Sequence, residues 1–513
     1  MRKFNGRKKI TIPVSLKNFN ENPLKVIENY LGKCISVNNQ NRNDSQILKQ
    51  YYVGIQKILN KTRLNGDSNN NNILLANHIF RQVEFKKGFM VGNPINYSLG
   101  VSDKNTDDLT YLQKYFKDSM KASKDIDKYE DLYVSGLAVQ FVAPKTYDFD
   151  EESESPFELY NIENNNGFKV YSSDISSKPL FDVVISKIAD TKDNFTENTI
   201  YDIYFINPLD NFCYNITYDR RYQKASQPEK QPYTFLPLVE YSLNKNRMGI
   251  VELVKAIQDG LNIIQSNQID DIVEFVNSYL VFENQDLGKE WAKKVKEFRQ
   301  NRAIMIKSNN PKLPAKISLL KQTMQHTEIN AFFELLVQEM YDIVACPKTS
   351  GGVTSGGDTG QARILGNGWE SAQNQATVDI SYVMQYEYEL LKKIISISKN
   401  NTSKIKEVNA SDIDIKYSIN MSNNILTKTQ ALSNLYTMHI PYEDALNITG
   451  VTNDAHGLGI KWAENDELQK TIAIRMQSKN LTVGNETNNS NNNEKADNET
   501  SNETDSNTSN SEE

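Results

Sequence analysis

The stretch from Met248 to Asn400 constrains the fold more than any other part of this chain. It contains long segments with helical apolar spacing, a small mixed insert between them, and a glycine-rich run at residues 348–359. Glycine permits positive φ and rapid rearrangement at little steric cost, so this run is predicted to be a mobile loop. Long helices that carry such a loop fit a ring-shaped conduit better than a catalytic pocket.

Apolar residues at helical spacing predict three long helices in this stretch. They run over Gly249–Tyr279, Thr327–Val344 and Gly360–Ser398. Pro347 ends the second helix, because proline cannot donate the next helical hydrogen bond. A compact insert, Leu280–Gln325, separates the first two. Its predicted elements are strands at Leu280–Phe282, Ala303–Ile306 and Lys316–Leu320 and a helix near Gly288–Arg299.

The first half of the chain is predicted to form helices followed by a sheet, after a loose basic arm over about the first 20 residues. Helical spacing predicts helices at Asp44–Lys61, with Asp44 or Ser45 as its cap, at about Ile73–Met90 and at Asp107–Lys124. Short β-branched or aromatic runs between polar turns then predict a mainly antiparallel sheet. These runs are Leu137–Val142, Phe168–Tyr171, Phe181–Ile185 and Tyr201–Ile206. The expected fold class is therefore α+β.

The net charge of −7 is concentrated at the C-terminus. Residues 484–513 hold eight acidic side chains and one lysine, so the preceding body is formally neutral. From about Met476 onward almost no apolar residue remains, and such a segment cannot offset the entropy of ordering. A protein that grips DNA tightly usually has a basic excess. The body is expected to touch nucleic acid transiently or not at all.

Other bulk features argue against a disulfide-rich, membrane-spanning or secreted protein. The three cysteines, Cys34, Cys213 and Cys346, are far apart, which argues against a disulfide framework and for a reducing compartment. No apolar run is long enough to span a membrane. The basic N-terminus leads into no apolar segment, so a secretory signal is not expected.

The glycine-rich run invites a phosphate-binding interpretation that its residues do not support. Gly351 and Gly356 have the spacing of a P-loop, but Gly357 and Asp358 stand where Lys and Ser or Thr belong. An aspartate at that position would repel a phosphate. Two alternatives remain: a flexible linker between helices, or a mobile loop that lines a channel, which is preferred.

No metal or catalytic constellation is evident in the sequence. The histidines His78, His326, His439 and His456 have no His or Cys partner at metal-ligand spacing. The cysteines are expected to be buried, inert thiols. Aromatic and basic residues alternate in Tyr218–Tyr222, which fits a nucleic-acid platform or, as preferred, an ordinary strand pair or interface.

Several segments, in order, resemble the portal proteins of tailed bacteriophages with long non-contractile tails. Each matches one pattern of that family, and it is their joint order that is specific. The segments are Tyr51–Ile58, Gly88–Tyr97, Ser135–Phe141, Leu236–Asn244 and Ser355–Ala362. The first matches Tyr-Tyr-x-Gly, and the second matches Gly-Tyr-x-x-Gly-x-Pro-Ile-x-Tyr with Phe89 in place of the first tyrosine. The fourth precedes a long helix, and the fifth starts the helix that follows the family's channel-lining loop, called the tunnel loop. The resemblance covers roughly residues 25–470. The glycine run departs from the usual aspartate- and phenylalanine-containing loop.

The resemblance implies an α+β portal fold with wing, stem, clip and crown regions, assembled as a ring, usually of twelve subunits, at one capsid vertex. The implied regions are a flexible N-terminal arm (1–24), wing (25–245), stem helix (246–279), clip (280–326), stem helix (327–347), tunnel loop (348–359), long wing helix (360–400), crown (401–475) and disordered acidic tail (476–513). Double-stranded DNA would be packaged and ejected through the ring, with sequence-independent, transient contacts. The protein would be made in the host bacterial cytoplasm and reside in the virion.

The resemblance also implies site residues and partners, and neither a cofactor nor an enzymatic activity. The tunnel loop would comprise Lys348, Thr349, Ser350, Gly351, Gly352, Val353, Thr354, Ser355, Gly356, Gly357, Asp358 and Thr359. The clip would dock partners through Asn284, Lys289, Trp291, Lys294, Arg299 and Arg302. Partners would be further copies of the chain, the terminase large subunit as the separate ATPase, a head–tail connector or adaptor protein, and major capsid and scaffolding proteins, with no membrane. Alternatives are another virion connector or scaffold-like protein, or a nuclease or nucleotide-binding enzyme.

Overall fold

The computed structural model describes most of the first 471 residues. The described residues are 6–62, 71–99, 106–190, 196–276, 279–283, 290, 293, 296, 313–314, 316–320, 326–348, 368–402, 404–419, 425–449, 451–452, 457–459 and 461–471. The chain divides into two compact units, Met1–Ser422 and Asn423–Glu513.

The first unit mixes long helices with short strands, as the α+β prediction requires. Its helices are α1 (Leu16–Glu21), α2 (Pro23–Tyr52), α3 (His78–Val91), α4 (Thr106–Asp118), α5 (Lys121–Ser135), α6 (Ile250–Val276), α7 (His326–Ile343) and α8 (Trp369–Asn401). Its strands are β1 (Ile10–Ile12), β2 (Asn96–Leu99), β3 (Leu137–Pro144), β4 (Phe157–Asn161), β5 (Gly167–Ser172), β6 (Pro179–Asp190), β7 (Thr196–Ile206), β8 (Cys213–Tyr218), β9 (Glu229–Lys230), β10 (Leu238–Ser242), β11 (Tyr279–Glu283), β12 (Lys316–Leu320) and β13 (Ile413–Lys416).

The strands form one larger sheet and three small ones. The larger sheet has six strands in the order β1-β5-β6-β7-β8-β9, and a three-stranded sheet has the order β10-β3-β4. Two further pairs are β11-β12 and β13-β2. All ladders are antiparallel except β1 with β5. The four runs predicted as strands are confirmed within β3, β5, β6 and β7, and the predicted strands at 280–282 and 316–320 pair in β11-β12.

Two apolar cores share helix α2. Ile27, Leu31 and Ile35 in its first half pack with the six-stranded sheet. Tyr51 and Tyr52 near its end belong to the larger core that helices α3 to α8 build. Because both halves bury an apolar face, the helix continues for 30 residues. It ties the sheet to the helical body.

The predicted helix start at Asp44 is wrong. The helix begins at Pro23, where proline suits the first helical position and the Asn22 side chain accepts a hydrogen bond from the Lys25 amide at 3.3 Å. It ends at Tyr52, nine residues before the predicted end at Lys61. The polar residues around Asp44 lie within a helix whose packing partners are distant in sequence. Local capping signals could not reveal those partners.

Two other helices differ from their predicted limits. Helix α3 begins at His78 rather than Ile73, because the Asn77 side chain caps it by accepting from the Phe80 amide at 3.2 Å. The segment predicted as one helix from Asp107 to Lys124 is two, because Met120 adopts a left-handed conformation with φ 53°. The chain turns there and continues as α5 to Ser135.

The prediction that residues 1–24 form a flexible arm is wrong for residues 6–21. Ile10 and Ile12 are buried, and β1 pairs with β5 in parallel. The Arg7 guanidinium is also buried and contacts the Glu252 carboxylate at 2.6 Å. The basic composition of the segment concealed these two alternating apolar residues, which were too few to give a strand signal.

The second unit is helical where it is described. Its helices are α9 (Ile425–Thr437) and α10 (Tyr442–Thr449), and residues 461–471 are also helical. The rings of Tyr436, Tyr442 and Trp462 stack on one another with centroids 5.1–5.8 Å apart. The Tyr442 hydroxyl donates to the Asp466 carboxylate at 2.7 Å. This aromatic stack joins α10 to the last described helix.

Candidate functional site

The two ends of the glycine-rich segment lie side by side. The described chain stops at Lys348 and resumes at Gly368, and a Cβ atom built on Gly368 would lie 3.9 Å from the Cα atom of Pro347. Gly368 has φ +79°, a left-handed conformation that glycine adopts without strain, and helix α8 starts immediately after it. The segment therefore leaves and rejoins the body at one place, which we call the loop root (Cys346–Lys348 and Gly368–Trp369).

Helix α3 holds both sides of the loop root. On one side, the buried Gln82 amide donates to the carbonyl of Met340 near the end of α7, at 3.1 Å. On the other side, the ring of Trp369 packs against Phe85 and Phe89, with centroids 5.7 and 6.1 Å away. A single rigid helix thus fixes where the segment begins and where it ends.

Lys348, the first residue of the predicted tunnel loop, is paired with a glutamate. Its Nζ atom lies 2.9 Å from Oε2 of Glu334 on α7. The two side chains are 36% and 65% exposed, so water and solutes reach both. The positive charge of Lys348 is therefore compensated within the chain itself.

Further charged groups surround this pair. The Arg81 guanidinium lies over the Tyr341 ring, 5.8 Å from its centroid, and His78 Nδ1 is 3.5 Å from the Tyr341 hydroxyl. Burial lowers the pKa of His78, the positive charges of Arg81 and Lys348 lower it further, and Glu334 opposes them. Arg81 and His78 of α3 thus both contact Tyr341 of α7, the helix that also carries Glu334, although α3 and α7 are far apart in the sequence.

Helix α7 presents an acidic surface around the loop root. Its charged residues at Glu328, Glu334, Glu339 and Asp342 are all exposed, and the helix sequence contains no lysine or arginine. Anionic side chains repel a phosphate backbone at short range. A surface of this composition discourages tight DNA binding, apart from the local basic groups Arg81 and Lys348.

A buried lysine lies beneath the loop root. The Nζ atom of Lys86 on α3 is buried and has no hydrogen-bond partner among the described residues. Burial lowers its pKa, and the nearby Asp379 of α8 opposes that shift. Burial also raises the pKa of the Asp379 carboxyl, which accepts hydrogen bonds from Tyr133 and Gln375. No hydrogen bond joins the two groups.

The described residues contain no metal-binding cluster. Among them, no group of three His, Cys, Asp or Glu side chains could hold a metal ion. A cavity bounded by Ser45, Lys49, Asp131 and their neighbours measures only about 10 Å³, which is room for about one water molecule. Within the part of the chain that the structure covers, no helix is both long and apolar enough to cross a membrane.

The three thiols are buried, as the sequence analysis expected. Burial raises the pKa of Cys34 and of Cys346 to about 12 and raises that of Cys213 as well. A nucleophilic cysteine requires a thiolate near neutral pH. These thiols are therefore inert packing residues.

Most of the predicted site residues lie outside the described residues. Of the predicted tunnel loop, only Lys348 is described, and the six predicted clip residues at 284, 289, 291, 294, 299 and 302 are not. The aromatic and basic run at 218–222 lies at the end of β8, where Tyr218 is buried and pairs with Tyr201. Only Tyr218 of that run lies in a strand, and Arg220, Arg221 and Tyr222 follow it in an exposed turn, so the choice between the two interpretations stays a prediction.

Sequence reasoning missed Arg81, His78 and Glu334 as members of this site. Arg81 and Lys348 are 267 positions apart, and neither stands in a recognisable motif. The only local signal was the absence of lysine and arginine from the predicted helix at 327–344, which makes a single following lysine conspicuous.

Comparison with known proteins supports the family resemblance. The sequence model of the family described as "Phage portal protein, SPP1 Gp6-like" matches residues 31–473, which is most of the chain. A comparison with curated protein sequences finds no match. The family match spans the helical body, both sides of the loop root and most of the second unit. The chain therefore belongs to the SPP1 Gp6-like family of phage portal proteins.

Proposed function

We propose that this chain forms a ring at one capsid vertex, through which double-stranded DNA is packaged and later ejected. Phage portal proteins are a structural, non-enzymatic family of virion components that form rings associated with capsid and DNA. The family match over residues 31–473 is the observation that carries the proposal. A ring of identical subunits closes when each subunit presents two different complementary patches.

The proposed regions follow the chain order. Helices α6 and α7 form the stem around the channel, and residues 280–326 form the clip, which docks the terminase large subunit and later the head–tail connector or adaptor protein. Residues 25–245 with α8 form the wing, and major capsid and scaffolding proteins are further partners of the ring. Residues 401–475 form the crown. Twelve copies complete the ring in the assembled particle.

The charge at the loop root supports a channel that DNA can slide through. Each neutralised phosphate releases counterions and adds affinity, so a strongly basic lining would trap the duplex. The exposed acidic residues of α7 and the paired state of Lys348 limit that affinity. In this proposal Lys348, Val353 and their neighbours touch DNA intermittently, by shape and weak charge, without reading bases.

The adjacent ends of the glycine-rich segment also support this role. Because α3 contacts both sides of the loop root, the two ends of the proposed channel loop are held at one place. In the proposed ring, a loop anchored in this way meets the duplex while α7 and α8 keep their positions.

An exchange of the segment tests the proposal. Replacing residues 349–359 by a short rigid linker should leave ring assembly intact, as seen by electron microscopy, and reduce DNA packaging or retention in particles. A glycine–serine segment of unchanged length serves as the control, because it keeps the reach of the loop and removes its side chains. Normal packaging with the short rigid linker would reject the loop assignment.

A further inference from the structure

The pairing of Lys348 with Glu334 contributes little to protein stability. An exposed ion pair contributes only about 0–1 kcal/mol to folding, because water screens it and two long side chains are ordered. Both members are accessible, and the pair sits at the root of the segment proposed to meet DNA. A function in ligand contact accounts for this position.

We infer that Glu334 is an internal competitor of DNA: it occupies the Lys348 ammonium in the free chain and yields it to a backbone phosphate. This inference rests on the proposed function and adds a regulator to the same site. A carboxylate and a phosphate oxygen are equivalent acceptors for an ammonium group. Exchanging one for the other conserves the charged hydrogen bond, so the exchange has a small net free energy.

Arg81 completes the phosphate-contacting surface. It is exposed, lies over the Tyr341 ring, and has no carboxylate partner within ion-pair distance among the residues that the structure describes. Its contact with Tyr341 places it beside α7, the helix that carries Glu334. Among the described residues no carboxylate pairs with Arg81, whereas Glu334 pairs with Lys348.

In this proposal Glu334 sets the strength of the contact between each subunit and DNA. Without Glu334, each subunit of a ring would offer two uncompensated cations to the duplex, and the affinity would add over the subunits. With Glu334, one of the two is compensated until a phosphate displaces the carboxylate. Glu334 therefore keeps DNA mobile in the channel.

A double-mutant cycle on the full-length protein tests this inference. The variants are Glu334→Gln, Lys348→Met and the double variant, and the readout is fluorescence anisotropy of a short labelled duplex over a series of salt concentrations. We expect E334Q to bind about fivefold more tightly than the parent at low salt, a change of about 1 kcal/mol. That gain should vanish when Lys348 is replaced as well. Arg81→Gln should weaken binding and reduce the salt slope by about one or more.

The matched control is Glu152→Gln. Glu152 pairs with Lys404 in the same unit, and the exposure of that pair, 58% and 28%, is similar to that of Glu334 and Lys348. Its loss removes the same negative charge at a different place, so we expect no more than a small change in DNA affinity. Unfolding midpoints of all variants should stay near that of the parent, because both pairs are exposed.

Three results would overturn the inference: E334Q binds no more tightly than the parent, the gain persists without Lys348, or E152Q gives the same gain. Absence of measurable duplex binding by both the parent and E334Q would overturn it too. Electron microscopy of the same samples separates this failure from failure of the proposed function. Rings with an axial channel but no effect of E334Q reject the inference alone, whereas a parent chain that forms no rings rejects the proposed function.

Discussion

Nζ of Lys128 lies 3.0 Å from Oε2 of Glu387, and both side chains are almost completely buried. Lys121 contacts the other carboxylate oxygen of Glu387 at 2.5 Å, and Asp125 contacts both lysines at 2.8 Å. Tyr97 also donates to Glu387 at 2.8 Å. The two positive and two negative charges balance. This buried cluster joins α5 to the middle of α8, the long helix that leads away from the loop root.

Removing the Glu387 carboxylate should destabilise the first unit strongly. In Glu387→Ala, Lys121 and Lys128 would share Asp125 alone, and an uncompensated buried charge costs about 3–5 kcal/mol. Urea unfolding followed by circular dichroism measures the change. Glu370→Ala on the same helix is the control, because Glu370 is exposed in the first turn and its loss should cost well under about 1 kcal/mol. Equal effects of the two variants would contradict a role of the cluster in stability.

The stability of the fold should fall in acid. Burial alone would raise the pKa of Glu389, but Lys393 and Lys169 lower it to about 2, and Lys121 and Lys128 likewise hold the pKa of Glu387 well below its usual value against the effect of burial. A glutamate in the unfolded chain titrates near pH ~4.3. Both groups therefore contribute stability above about pH 4, and that contribution is lost as the pH falls toward 2.

Protonation of Asp182 has the opposite effect on the stability of the fold. Burial raises the pKa of its carboxyl to about 6, so protonation of the folded chain adds stability as the pH falls from 6 to about 4. Urea unfolding between about pH 7 and pH 3 should show a shallow rise followed by a steep loss. Glu389→Gln should reduce the loss, and Asp182→Asn should reduce the rise, to which Asp131 also contributes because burial raises its pKa to about 6. A flat profile would contradict these assignments.

Two glycines permit a close backbone approach between the end of α5 and the start of α6. A Cβ atom on Gly249 would lie 2.4 Å from the Val134 carbonyl oxygen, and one on Gly136, which has φ +80°, would lie 2.4 Å from the Met248 carbonyl carbon. Gly249→Ala should therefore cost about 2 kcal/mol or more, measured by thermal or urea unfolding. Gly88→Ala in α3 is the control. A Cβ atom there meets nothing within 4 Å, so we expect a gain of up to about 1 kcal/mol.

The buried amine of Lys86 should be dispensable for folding. Methionine has a similar shape and needs no hydrogen bond, so Lys86→Met should leave the free energy of unfolding unchanged or raise it by about 1 kcal/mol. The neighbouring Lys87 is the comparison, because its ammonium bonds to Glu84 at 2.6 Å and to Glu130 at 2.9 Å. Lys87→Met should be the more destabilising of the two. A large loss in Lys86→Met instead would show that its attraction to Asp379 stabilises the packing of α3 on α8.

Local sequence patterns predicted an element correctly where its buried residues recur with the period of a helix or a strand. The four predicted strands and the helices at 249–279 and 327–344 were found within a few residues, since each has one apolar face. The predicted start at Asp44 failed because α2 packs on two cores built from distant segments. The prediction of a flexible N-terminal arm failed because the buried residues of β1, Ile10 and Ile12, are too few to give a strand signal.

The candidate site was only partly predictable for a related reason. Lys348 could be named because it begins a recognisable glycine-rich run. Glu334 and Arg81 reach it only through the packing of α3 against α7, and no spacing rule connects residues on separate helices. The same holds for Glu387, whose lysine partners lie more than 250 positions earlier in the chain.

The most direct test of the whole account is electron microscopy of the purified full-length protein. We expect closed rings of identical subunits with an axial channel that admits a DNA duplex and with a protrusion at one end. A protrusion would also separate a portal ring from another virion connector. A chain that stays monomeric at every concentration, or a closed assembly without an axial opening, would contradict the account.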